Sequence, residues 1–382
     1  MTIAGFTSTG SKLPAALFGA DAAGVPLYLE RTSGCVVHAT DGREYLDFIM
    51  GLGSVALGYG HPAVSNAVVD AVERGTIGPL APRDEEMLAT ALNGIMPWLE
   101  EIRVLKSGAE AVAAAVRIAR VATGRDRVIG CGYHGWLDWC SASGGVPAAA
   151  RQDFSTIPFN DPEGARLTIR RAGDQLACVV VEPVIDGAPS VEWLTTLREE
   201  TARAGAYLIF DEIKTAFRIA LGGATELWGV EPDLSVLGKA IANGYPLAVV
   251  GGRRAAMRAI ADTWISSTMA TEYVSLAAAN ATIAVMQREQ VPSHLATVGD
   301  RLFRGLAVLA DTHAHRGITA RGIAQMCYLG YDDEALSVRV AVACAQRGLL
   351  FKRTAYNFVS LAHDPATVDR ALGILGEVLA TC

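Results

Sequence analysis

"LSVLGKAIANGYPLAVVGG", residues 234–252, sets a single lysine, Lys239, between two continuously apolar runs. Runs without polar alternation are what strands covered on both faces require. The same character recurs upstream in IRVL (102–105), RVIGC (127–131), ACVVVEP (177–183) and AYLIFDE (206–212). Between several of them lie stretches with helical spacing of apolar positions, such as AEAVAAAVRIARVAT (109–123) and EWLTTLREETARAG (192–205). Alternation of buried strand and amphipathic helix predicts an α/β fold built on a parallel or mostly parallel sheet with helices on both faces. The chain ends read differently: residues 1–45 are loop-rich with one Asp-Gly turn, and the last part runs as helix, short strands and helix. The expected division is a large domain over 46–288 and a smaller one assembled from 1–45 and 289–382.

Composition narrows the function classes. The 382 residues are 51% hydrophobic and 19% charged, enough to bury a large core. A net charge of −7 with scattered Lys and Arg excludes a nucleic-acid-binding face and favours small-molecule partners. No Lys or Arg precedes Lys12 and no apolar run approaches roughly 18 residues, so neither a signal peptide nor a membrane span is expected, and cytoplasmic residence follows. The seven cysteines form no CxxC pair, and His313, His315 and the other histidines lack companions at ligand spacing, so neither a disulfide framework nor a metal site is expected.

Ligands of open α/β sheets bind at the carboxyl ends of the strands. After IRVL, Ser107 and Glu110 match a capping box, and Gly108 lets a ligand approach the backbone. The first turn of that helix would offer free N–H groups to a phosphate, although any well-capped helix shows the same pattern. After RVIGC, GYHGWLDW brings Tyr133, His134, Trp136 and Trp139 to one strand end; such aromatics stack on planar rings and, more commonly, pack at a rim. AYLIF ends in Asp211 and Glu212, carboxylates that are costly at a buried strand mouth without a partner. Lys239 follows LSVL; an amine in a desolvated pocket loses its proton more readily and becomes nucleophilic. A lysine for a Schiff base, a carboxylate for a pyridinium nitrogen, an aromatic for a ring face and a helix N-terminus for a phosphate are together what pyridoxal phosphate requires. The glycines of GLGSVALG miss the dinucleotide fingerprint, and a non-catalytic binding protein would be expected to lose Lys239 or Asp211.

The ordered stretches GVPLYLERTSGCVVHATDGREYLDFI, LGYGHPAVSNAV, SGAEAVAAAVRIAR, GYHGW, VVVEPV, LIFDEIKTAFRIALGGATELWGVEPDLSVLGKAIANGYPLAVVGGR and YNFVSLAHDPATVDRAL span nearly the whole chain. With them the sequence resembles the class III, fold type I, pyridoxal-phosphate aminotransferases, and within these the glutamate-1-semialdehyde 2,1-aminomutase branch. The resemblance implies a large α/β domain with a mostly parallel, seven-stranded type of sheet, a small α+β domain from both chain ends, and a homodimer with sites at the subunit interface. It implies pyridoxal 5′-phosphate as cofactor, with pyridoxamine 5′-phosphate in the alternate half-reaction. Lys239 becomes the Schiff-base lysine and proton shuttle, and Asp211 the partner of the ring nitrogen. Tyr133 and Ile213 flank the ring, while Ser107, Gly108 and Ala109 lie at the phosphate; Thr268 adds a hydroxyl from the partner subunit. His134 and Glu182 lie in matching motifs and are assigned no contact with the cofactor.

Departures from that branch shape the expected activity. Ala109 stands where Thr is common, Thr271, Glu272 and Tyr273 replace a Gly-Asn-Pro stretch, and Leu52 replaces a tryptophan beside the substrate. The segment between Tyr133 and Asn160, where the aminomutase carries its gating loop, is shorter. The expected function is an aminotransferase moving an amino group from an amine or amino acid to an aldehyde or keto acceptor by a ping-pong mechanism. An intramolecular aminomutase or an amino-acid epimerase on the same scaffold is the alternative. Arg218, Lys352 and Arg353 are cations available for a substrate carboxylate, though surface solvation is the commoner account of each.

Overall fold

The structure, a computed structural model, describes residues 3–20 and 22–382. Contacts divide the chain into two compact units, residues up to His61 with Ser293–Cys382, and Pro62–Pro292. Both boundaries fall later than the sequence places them. Segment 47–61 stays with the C-terminal part because Phe358 N–H donates to Phe48 O (2.6 Å), Leu361 N–H to Ala56 O (2.8 Å), and His363 Nε2 lies 3.1 Å from Asp47 O. His294, bonded through Nε2 to His363 O at 2.8 Å, belongs there for the same reason.

In chain order, Leu29–Ser33 (β1), Val36–Ala39 (β2) and Glu44–Asp47 (β3) open the first unit as an antiparallel run. The second unit follows with Glu101–Leu105 (β4), Arg127–Cys131 (β5), Phe154–Thr156 (β6), Leu176–Val181 (β7), Tyr207–Asp211 (β8), Leu234–Leu237 (β9) and Ala248–Gly252 (β10). Ile318–Ile323 (β11), Met326–Tyr331 (β12), Leu349–Leu350 (β13) and Asn357–Phe358 (β14) complete the first unit, β13 pairing parallel with β3 and β12 lying between β11 and β14.

The seven strands of the second unit form one sheet in the order β4-β10-β9-β8-β7-β5-β6. From β9 through β6 the pairing is parallel, while β10 runs antiparallel to both neighbours. The short link from Leu237 to Ala248 holds no crossover helix, so the chain must reverse there. Strand periodicity divides the core between the two faces. Cys178, Val180 and Ile209 pack with Ala111, Val112 and Ala115 of the Gly108–Thr123 helix; Val179, Val181, Leu208 and Phe210 pack with Trp193, Leu194 and Leu197 of the Val191–Ala204 helix. Asp211 therefore continues the row of Ile209, on the face that carries the Gly108–Thr123 helix. Among the described residues no helix is long and apolar enough to cross a membrane.

Candidate functional site

At the end of β4 the capping box forms in full: Glu110 N–H donates to Ser107 Oγ (3.3 Å), and Glu110 Oε2 accepts from Ser107 N–H and Oγ (both 2.9 Å). That cap occupies the Ser107 side chain and leaves the N–H groups of Gly108 and Ala109 in the turn where a helix offers no carbonyl partner. Neighbouring loops press closely on this turn. A Cβ at Gly108 would meet Ile213 Cδ1 at 2.6 Å, and one at Gly135, whose φ is +101°, would meet Ala109 Cβ at 2.6 Å. Only glycine permits both approaches, which draw the ends of β4, β5 and β8 together. The altered Thr271–Tyr273 segment finds its reason here as well. Glu272 caps the Tyr273–Arg288 helix, accepting from Val274 N–H (2.7 Å) and Ser275 N–H (2.9 Å), and pairs with Lys106 Nζ at 2.6 Å.

Asp211 is buried, 2% exposed, and its Oδ2 lies 2.9 Å from Nδ1 of the equally buried His134. Ile213 N–H donates to its other oxygen at 3.3 Å. With Nδ1–H donating to the carboxylate, His134 Nε2 is left buried without a hydrogen-bond partner. The adjacent Glu212 faces the opposite way, accepting from Ala224 N–H (2.8 Å) and the Thr215 hydroxyl. Burial pushes its carboxyl up to about 7, against the hydrogen bonds that favour the anion. A carboxyl raised in the fold stabilises it at low pH and loses that contribution as pH rises. Stability should therefore fall as pH rises from the ordinary carboxyl range to above about 7, and urea midpoints on either side of that window should show the fall flattened in Glu212→Gln.

Lys239 follows β9 with a left-handed backbone (φ 46°), a conformation costly for any side-chain-bearing residue and concentrated at functional sites. Burial pulls its amine down to about 8; Lys214 and Arg218 act in the same direction, and Glu182 and Asp211 oppose them. Gly238 packs on Ile213, a Cβ there meeting Cγ1 and Cγ2 at 3.4 Å. Lys214 Nζ is 2.9 Å from Glu182 Oε1, and Glu182 Oε2 accepts from Tyr133 N–H at 3.0 Å.

The candidate residues of β4, β5, β8 and β9 thus gather at one end of one sheet. Tyr133 lies there, 69% exposed, while Trp139 packs edge-on against Phe154. Thr268 is exposed at the start of the Thr268–Thr271 turn, which packs beside β4. Arg218 is fully buried; in the other unit Arg353 donates to Ser337 Oγ at 3.2 Å. Sequence reading named His134 and Glu182 without giving them a contact, and passed over Lys214. A charge at the end of an apolar strand was their one signal, and their partners are distant in sequence.

The profile of the family Aminotransferase class-III matches residues 18–372. The chain belongs to that family. This class III chain is 35% identical to a glutamate-1-semialdehyde 2,1-aminomutase of Rhodopirellula baltica, across 97% of the chain and 92% of that protein. Among solved structures, a β-phenylalanine aminotransferase from Variovorax paradoxus is similar at TM-score 0.88 and 26% identity, covering 99% of this chain and 91% of its own. A transaminase with PLP bound is similar at TM-score 0.87 and 27% identity, covering 96% and 92%. The fold is the fold type I arrangement expected from the sequence.

Proposed function

We propose that this class III chain is a pyridoxal-phosphate-dependent aminotransferase acting on an amine or amino acid and a carbonyl acceptor. The observation that carries the reading is the desolvated Lys239 amine held at the same sheet end as the buried Asp211–His134 pair and the open first turn at Gly108. These residues fit the cofactor's chemistry: the N–H groups of Gly108 and Ala109 would hold its phosphate, Asp211 its ring nitrogen, Lys239 its aldehyde carbon, and Tyr133 and Ile213 its ring faces. The transaminase with PLP bound, alike over most of its length, supports the assignment. Bound there, the group supplies an electron-withdrawing ring that stabilises negative charge on the carbon bearing the amino group.

The chain's own residues do the rest. With its amine pulled down to about 8 by burial, Lys239 is neutral near pH 7 more often than an ordinary lysine. Asp211, oriented by His134, would hold a proton on the ring nitrogen. Lys239 would carry a proton to and from the substrate's Cα. A panel of amino donors with carbonyl acceptors, scored for keto or aldehyde product, tests the reading; turnover that consumes two substrates supports a transferase. A single substrate isomerised without an acceptor supports the second reading, an aminomutase, which the 35% identity to that enzyme favours.

The dimer expected from the family resemblance is part of the proposal. Thr268 would place its hydroxyl at the phosphate of a second copy, and the flanking Trp264 (80% exposed) and Met269 (55%) form an apolar face suited to burial. Because Ala109 carries no hydroxyl, Thr268→Ala should weaken pyridoxal-phosphate binding by about one to two decades, the worth of one hydrogen bond to a charged group. Cofactor titration with parallel sedimentation checks it; unchanged affinity, or a monomeric holoenzyme, counts against the shared site.

A further inference from the structure

Thr268 sits in a surface segment, 264–272, that belongs to no strand or long helix. Its own closure is one turn: Ala270 N–H donates to Ser267 O (3.1 Å) and Glu272 N–H to Met269 O (3.3 Å). A single turn of this kind does not hold its place unaided. Cationic side chains of β4 and the Gly108–Thr123 helix fasten it at both ends. Ahead of the turn, Arg103 donates to Ile265 O through Nε (3.1 Å) and Nη2 (2.7 Å), and Arg117 donates to Trp264 O at 2.8 Å. Behind it, Lys106 Nζ meets Glu272 Oε1 at 2.6 Å, with both side chains only 16% exposed.

The Lys106–Glu272 pair is the best anchored of these contacts. Glu272 also accepts from Val274 N–H (2.7 Å) and Ser275 N–H (2.9 Å) at the start of the Tyr273–Arg288 helix, where the helix dipole favours its charge. The next residue, Tyr273, donates its N–H to Thr76 O at 2.9 Å. At its other end the pair reaches Lys106, which directly precedes Ser107, the cap of the turn at Gly108 and Ala109. A sheltered pair between two fixed points is screened less than a surface pair and spends less side-chain entropy.

We propose that Lys106, through its ion pair with Glu272, is a positioning residue for Thr268, holding the turn that presents this hydroxyl to the phosphate of a second copy. The inference rests on the cofactor role proposed above for Thr268, and Lys106 acts through that residue alone. In Lys106→Met the pair is lost while Glu272 keeps its two N–H donors, so the helix cap survives and the turn is freed at one end.

The test has two arms, one without the cofactor and one with it. In cofactor-free protein, hydrogen exchange of the peptide spanning 267–273, read by mass spectrometry, should quicken by about three- to tenfold in Lys106→Met and stay near the wild-type rate in Lys106→Arg, which keeps a cation for Glu272. In a pyridoxal-phosphate titration, Lys106→Met should weaken binding by about three- to tenfold, less than Thr268→Ala does. Combined with Thr268→Ala, it should add no loss beyond about twofold, because a turn without its hydroxyl has nothing left to position. Losses that add in full place the effect of Lys106 elsewhere, such as its neighbour Ser107, and overturn the proposal, as does unchanged exchange or unchanged affinity in Lys106→Met. Glu272→Gln, whose amide oxygen still accepts from the helix N–H groups, enters the same cycle if Lys106→Met misfolds. A wild type that binds no pyridoxal phosphate, or a Thr268→Ala variant of unchanged affinity, overturns the cofactor reading and the proposal with it, whereas additive losses overturn the proposal alone.

Discussion

Lys239→Ala should fold and lose turnover by about 10⁴-fold or more, the upper range for a positioned proton-transfer group. The fold survives because the substitution removes a charge without orphaning one. Asp211 keeps His134, Glu182 keeps Lys214, and the Cβ that remains fits a backbone already held at φ 46°. The chemistry does not survive, since no other group at this sheet end offers a nucleophilic amine with its acidity raised by burial. Lys214 also lies at this sheet end, and its amine is paired with Glu182 at 2.9 Å. Borohydride reduction of the wild-type holoprotein followed by peptide mapping gives the direct measurement. The label is expected on the peptide containing Lys239, and a label on Lys214 or any other lysine would sink the assignment. Cofactor can still be retained in the alanine variant through Gly108, Ala109 and Asp211, but it should dialyse away and resist reduction onto protein.

Asp211→Asn is the second large effect, a loss of roughly 10²- to 10⁴-fold in kcat with the fold intact. The amide oxygen can still accept from His134, which bonds one carboxylate oxygen at 2.9 Å, and only the longer 3.3 Å contact from Ile213 N–H to the other oxygen is given up, so the pair with His134 persists. The charge does not, and a neutral amide holds a proton on a pyridine nitrogen far more weakly than a carboxylate does. Stability should not fall with it, because a buried carboxylate carries a desolvation cost that the amide avoids. Steady-state kinetics beside a thermal melt separate the two outcomes. Near wild-type turnover in a folded variant would remove Asp211 from the proton-holding role. His134→Ala offers a graded companion, since it frees the carboxylate to rotate while leaving its charge in place.

Much of this architecture is written locally in the chain. Unbroken apolar runs such as LACVVV are affordable only with cover on both faces, so β4, β5, β7, β8, β9 and β10 were legible from composition and spacing alone. The Ser107–Glu110 cap is equally local, because both partners lie within one helical turn. Asp211 and Lys239 stood out because a charge at the end of such a run needs a reason. What the pattern did not contain was pairing. The three-residue edge strand β6 has too few positions to show a period, and the reversed direction of β10 follows from a link too short for a crossover. His134 meets Asp211, Glu182 meets Lys214 and Glu272 meets Lys106 only because the folded sheet brings its strand ends and flanking loops together. The burial of Arg218 is decided the same way: the sequence leaves it open to surface solvation, and only the surrounding elements close over it. Local preferences select strands, helices and caps within a few residues of themselves, whereas the partner of a charge and the solvent left around it depend on segments tens of residues away, and those become neighbours only when the sheet has formed.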